Sequence, residues 1–239
     1  MSRSPASVLV EPTPSDPIPD LVENVLGASQ YISLSYWVGQ AADMVCGVNP
    51  WVWVAEQFAG DWEVVQKAGV ALENLAEFNV EFALGTKSAM EAAAQDWQGN
   101  AADGASDYFA KLSEAIKAQE ETLRDLSQQF KDMAIGMYET ANSLKGLLEM
   151  LLDLLIAMGL ELAAAAASSW TVVGPILSGA AFAATLTKAM GVWGQAVQAH
   201  TLAWNLCQGF VGVVAGYATA LRDIDEHALP GTTYDHPGA

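Results

Sequence analysis

From Trp62 onward, apolar and small residues recur at alternating steps of four and three: Val64, Ala68, Ala71, Leu75, Phe78, Phe82, Gly85, Ala89 and Ala92. An average period of 3.5 marks a long helix that lays one seam against a neighbour. The pattern stops in "AAQDWQGNAAD", residues 93–103, and returns at Ala105, Phe109, Leu112, Ile116, Leu123, Leu126, Phe130, Met133 and Met137, with Gln119 as the one polar member of the row. Two seams of this length joined by three or four residues predict an antiparallel helical hairpin. The interruption supplies its own turn chemistry. Gly99 can adopt the left-handed conformation that ends a helix. Asn100 is then expected to cap the return helix, with Asp103 beside the positive end of its dipole. Trp97 marks the tip.

The remaining chain also reads as helix. "DLVENVLGASQYISLSYWVGQAADMVCG" predicts one helix weakened at Gly27, and "GVNPWVWVAEQFAGDW" restarts with Asn49 as cap and Pro50 at the first helical position. Gly174-Pro175 should end one helix and begin another. Beyond it a four-three seam runs through Leu186, Met190, Trp193, Val197, His200, Trp204, Cys207, Val211, Val214, Ala218 and Leu221. No period-2 strand is visible. The expected fold is all-α: a long hairpin extended by a second, more apolar one into an elongated helical bundle. Its expected divisions are a disordered tail at 1–19, N-terminal helices at 20–60, the first hairpin at 61–146, the apolar hairpin at 147–224 and a flexible tail at 225–239.

Charge excludes several partners. Asp and Glu total 28 against 10 Lys and Arg, a net charge of −18. Nucleic acid and anionic lipid surfaces are recognised through clustered cations, so neither is expected here. Cys46 and Cys207 make no disulfide framework; one bridge and two buried thiols are both open, with buried thiols the favoured reading. The opening residues hold one arginine and no apolar core, and are expected not to act as a Sec-type leader.

Catalytic constellations are sparse, and neither a catalytic residue, a cofactor nor a metal is expected. His200 and Cys207 lie two turns apart on one helix, about 10 Å of rise, too far for a thiolate–imidazole pair. Asp223, Asp225, Glu226 and His227 gather near a helix end without zinc or calcium spacing. "GAAFAA" and "GNAADGA" lack the strand and the lysine of a phosphate loop. Trp51, Trp53, Phe58, Trp62, Trp170, Trp193 and Trp204 form a partner or packing surface, and the three-to-four spacing of Trp51, Val54 and Phe58 favours packing.

Between Glu161 and Lys188 stand 26 residues without a charge. That exceeds the roughly 20 needed to span a bilayer. Against a span stand Gly174-Pro175, the weakly inserting alanines 163–167, the polar Gln195, Gln198, His200, Asn205 and Gln208, and the absence of basic flanks. Burial between helices or in a partner is the favoured reading.

Trp97-Gln98-Gly99 at a turn between two seams, followed by Ala101, Ala102, Ala105 and Tyr108-Phe109, resembles the WxG proteins exported by type VII (ESX) secretion systems of actinobacteria and Firmicutes. "NPWVWVAEQFAGDW", "LENLAEFN", "DWQGNAADGASDYF", "MAIGMYETANSLKGLLEMLLDLL" and "VWGQAVQAHTLAW" look like the WxG-like domains at the front of actinobacterial secreted toxins. The resemblance covers about 40–222. It implies a non-enzymatic helical export module, carried to the cell surface or beyond without a cleaved signal peptide. It also implies a small WxG partner or self-association, and the secretion ATPase as a second partner. The family's Tyr-x-x-x-Asp/Glu export signal has no counterpart among the six tyrosines; Tyr138 with Asn142 comes nearest, and Tyr217 is followed by Leu221.

Two other functions fit the apolar half. One is a membrane-inserting or pore-forming domain built on the hairpin 147–221. The other is a partner-binding or self-assembling helical protein that uses the uncharged helices as its docking face.

Overall fold

The computed structural model describes residues 4–14, 36–58, 60–167 and 174–222. The regular elements among them are all helical, with no strand. A 3-10 turn at Pro5–Val8 precedes α1 (Tyr36–Cys46), α2 (Pro50–Gln57), α3 (Trp62–Asp96), α4 (Asn100–Ala167) and α5 (Gly174–Arg222). Gly47, at φ 69°, stops α1, and its N–H donates to the Asp43 carbonyl at 3.0 Å. Asn49 caps α2 as expected: its side-chain oxygen accepts from the N–H groups of Trp51 at 3.1 Å and Val52 at 3.2 Å, with Pro50 in the first turn. The part of the first expected helix that precedes Tyr36 falls outside the described residues.

Helix α4 runs unbroken for 68 residues. The division expected between 146 and 147 therefore falls inside one helix. The apolar row simply continues in phase: Met137, Ala141, Leu144, Leu148, Leu151, Leu155 and Met158 are all buried, at steps of four and three. Gly146 lies off that row and is exposed, so it weakens the helix by only about 1 kcal/mol relative to alanine.

The chain divides into two compact units, each assembled from separated stretches. The first comprises Met1–Pro17, Val64–Ala134 and Gln208–Ala239. Here α3 buries Gln66, Gly69, Ala76, Asn79 and Ala83, and α4 buries Ala102, Ala105, Ser113, Ala115, Leu123, Leu126 and Ser127. The row expected to be buried on α3 is displaced by one residue. Val64, Leu75 and Phe82 are 54%, 38% and 41% exposed, while Ala76, Asn79 and Ala83 take the inner positions. One residue is about 100° around a helix. Small residues win the inner face because they let two backbones approach. A Cβ on Gly69 would come 2.9 Å from the Ser127 carbonyl oxygen and 3.2 Å from Phe130 Cβ.

Polar contacts in this unit join α3 and α4 at falling positions along α4 as positions rise along α3. Glu73 pairs with Lys131, and Asn79 Nδ2 donates to Gln119 Oε1 at 3.1 Å. Gln119, the odd member of the apolar row, thus has its partner on α3. The Phe130 ring meets Phe210 of α5 edge-on, at 4.9 Å between centroids. Near the N-terminus the Val10 carbonyl accepts from Asn74 Nδ2 at 3.2 Å.

The second unit comprises Ile18–Glu63 and Ile135–Cys207. Its core is more apolar: Val38, Ala41, Ala42 and Val45 of α1, Trp51 and Val54 of α2, the Leu/Met row of α4, and Ala189, Val192, Ala196 and Ala203 of α5. Leu144, Leu148, Leu151, Leu155 and Met158 are each under 2% exposed. Removing each such side chain from water is worth about 1.5–3 kcal/mol.

Candidate functional site

The Trp-x-Gly turn is built almost entirely from backbone. Trp97 N–H donates to the Ala93 carbonyl at 3.0 Å and closes the last turn of α3. Gly99 follows at φ 105°, a conformation that strains any side chain on an L-residue. Its carbonyl accepts from the N–H groups of Ala102 at 2.8 Å and Asp103 at 3.1 Å. Gly99 itself therefore holds the capping place at the head of α4, one residue before the expected Asn100, which becomes the first helical residue. Asp103 sits in the first turn, where a carboxylate complements the helix dipole. A Cβ at Gly99 would meet nothing within 4 Å, so the backbone angle alone calls for glycine.

Residues 91–100 are all exposed. Trp97 keeps 41% of its surface in solvent.

The aromatic stretch after Asn49 packs. Trp51, Val54 and Phe58 are 6%, 0% and 3% exposed, which agrees with their three-to-four spacing. Trp53, on the neighbouring face, lies edge-on to Trp193 at 5.1 Å and to His200 at 5.0 Å, and Phe58 meets His200 at 5.9 Å. His200 is thus walled by rings, with Cys207 elsewhere: the Cys207 thiol approaches Met137 Sδ at 3.9 Å. Cys46 and Cys207 are both free and half-buried. Burial first, and then the Asp43 carboxylate, push the Cys46 thiol up to about 12. Burial also raises Cys207.

Trp62 opens α3 half-buried, its ring 3.4 Å from where a Gly60 Cβ would stand. Trp204 is 58% exposed on α5. Tyr138 is half-buried and Asn142 exposed, one turn apart within α4. Trp170 and the Asp223–His227 group lie outside the described residues. Among those described, no three His, Cys, Asp or Glu side chains gather as a metal set. No helix among them is long and apolar enough to cross a membrane.

Periodicity missed two features. One is the Asn79–Gln119 pair, visible in retrospect as two amides on facing seams. The other is the row that is actually buried on each of α3 and α5, which lies one residue away from the expected one: on α5 Ala189, Val192, Ala196 and Ala203 are buried while the expected Met190, Val197 and Trp204 are exposed. Comparison of the chain with family models, with curated proteins and with solved structures finds no match.

Proposed function

We propose that this chain is a non-enzymatic WxG-type substrate or trafficking module of a type VII (ESX) secretion system, exported as a folded helical protein. In this reading α3 and the first part of α4 are an antiparallel hairpin with Trp97-Gln98-Gly99 at its tip, and the later α4 with α5 is the apolar extension. The observation that carries the proposal is the turn: a positive-φ glycine two residues after a tryptophan that is 41% exposed, between two long helices. The falling order of the Glu73–Lys131 and Asn79–Gln119 pairs agrees with antiparallel helices. His200, set among Trp53 and Phe58 rather than beside a nucleophile, fits a structural histidine.

Trp97 is the residue offered to the secretion ATPase or to a small WxG partner, because exposed aromatic anchors dominate such contacts. Tyr138 and Asn142 stand inside α4, on one face of a continuous helix, so the signal for export is supplied by the partner. The protein's destination is the cell surface or the medium. The test is export in the native host with the secretion ATPase deleted, and with Trp97→Ala in the intact system. Export should fall at least about tenfold in both, the scale of a lost aromatic anchor; unchanged export on deletion of the ATPase sinks the proposal.

A further inference from the structure

The C-terminal end of a helix is the negative pole of its dipole and favours a cation. α3 ends instead on Asp96, and its last turn holds no basic residue. From 88 to 110 the chain carries Glu91, Asp96, Asp103 and Asp107 and no Lys or Arg, and all four acidic residues are exposed. Glu91 has Lys87 one turn away at 4.0 Å. Asp96, Asp103 and Asp107 make no ion pair among the described residues. Trp97, next to Asp96, is the exposed indole of the same turn. An open indole beside an unpaired carboxylate, at a negative helix end, is a seat for a planar cation. We infer that this tip docks an arginine of a partner protein, with the guanidinium lying on the Trp97 ring and paired with the Asp96 carboxylate. That Trp97 recognises a partner rests on the secretion reading; the charge around it says what it recognises.

Charge and shape select the occupant together. Trp204 is more exposed, at 58%, but residues 189–221 hold no Asp, Glu, Lys or Arg, and nothing there draws a cation. An acidic partner would meet four negative charges at the tip. Lysine offers a compact ammonium, which either sits over the ring or pairs with the carboxylate. Guanidinium has a flat face for the indole and an edge of paired donors for the carboxylate, so it serves both at once. Asp103, in the first turn of α4, is already favoured by the positive end of that helix. Asp96 stands at the opposite pole and gains most from a supplied cation.

The probe is a capped Gly-Arg-Gly-Arg-Gly peptide, with its lysine counterpart, added to the full chain. Binding is followed by NMR on the indole N–H signals of the eight tryptophans. The Trp97 signal, identified as the one lost in Trp97→Phe, should shift with a dissociation constant on the order of 1 mM. The lysine peptide should bind there at least about threefold more weakly. Asp96→Lys supplies the missing cation within the chain: it should melt no lower than the parent and weaken binding at least about fivefold. Asp96→Asn, which keeps the side chain's shape, should weaken it about two- to threefold. Trp204→Ala should leave the Trp97 shift as it was. An arginine peptide that fails to move the Trp97 signal overturns the inference, as does equal binding of the lysine peptide or of Asp96→Lys. A small uniform shift of all eight signals, the mark of diffuse attraction to a net charge of −18, overturns it too. The measurement needs no secretion system. Binding at Trp97 with export unchanged on deletion of the ATPase sinks the secretion reading and leaves the arginine seat standing; export that depends on the ATPase and on Trp97, without binding, does the reverse.

Discussion

A Cβ on Gly159 would stand 2.9 Å from Val38 Cγ2 and 3.1 Å from the Val38 backbone nitrogen. At Gly159 the missing side chain lets α4 come close to the backbone of α1. Gly159→Ala is therefore expected to destabilise the fold by about 1–3 kcal/mol, since the colliding atoms include backbone that cannot swing away. Gly146→Ala, in the same helix but with open space around it, should instead stabilise by about 0.5–1 kcal/mol. Urea titrations of the two variants should move in opposite directions from the parent.

Gly99 tests the turn. At φ 105°, Gly99→Ala should cost about 1–2 kcal/mol from backbone strain alone. Trp97→Ala should cost less than about 1 kcal/mol, because the ring is only partly buried. Thermal melts of both, set beside their export, test whether Gly99 acts through stability and Trp97, as proposed, through recognition.

The displaced seam of α3 makes an inverted prediction about size. Phe82→Ala removes a large ring and should cost under about 1 kcal/mol, for Phe82 is 41% exposed. Ala83→Leu adds bulk where the structure leaves 4% exposure and should cost about 1–3 kcal/mol. Nearby, Asn79→Ala strands Gln119 and should cost a similar amount, with the double substitution of both amides to leucine recovering part of it. Chemical denaturation of the set decides which face is inside.

Cys46 should be slow to alkylate. With its thiol held at about 12 rather than the ordinary 9.0, the thiolate at pH 8 is scarcer by roughly a hundred- to a thousandfold. Maleimide labelling in native buffer should lag far behind labelling in denaturant, and Cys207, also raised by burial, should lag in the same sense. For Cys46 the linkage has a definite sign. Below pH 9 both folded and unfolded chains keep the proton, and stability does not change on this account. Between about 9 and about 12 the unfolded chain releases it while the folded chain does not, so stability falls as pH rises. Melts at pH 8 and 10.5, compared with Cys46→Ala, read the difference.

Much of the architecture was legible residue by residue. Asn49-Pro50 announced the start of α2 because a cap and a ring with no N–H suit only a helix head. Gly99 announced the break between α3 and α4 because its positive φ is one that side chains rarely adopt. Trp51, Val54 and Phe58 were identified as buried from spacing alone. The length of α4 was not legible, because the division expected between 146 and 147 disappears only once the row on either side is seen to stay in phase. The cap at Gly99 rather than Asn100 was not legible either, since a carbonyl that starts a helix leaves no mark in the residue type.

Local chemistry thus decided what the chain is made of: helices, where they stop, and which stretches carry apolar rows. Steric limits on φ, missing N–H groups and the 3.6-residue turn act within a few residues and can be read without knowing the neighbours. Which row goes inside was decided only by tertiary structure. α3 turned Ala76, Asn79 and Ala83 inward and left Leu75 and Phe82 outside. α5 likewise buried Ala196 and Ala203 and exposed Val197 and Trp204. Two apolar rows one residue apart compete for the same contact, and the winner is set by how closely the facing backbone can approach. That distance belongs to the pair of helices, and neither helix specifies it alone.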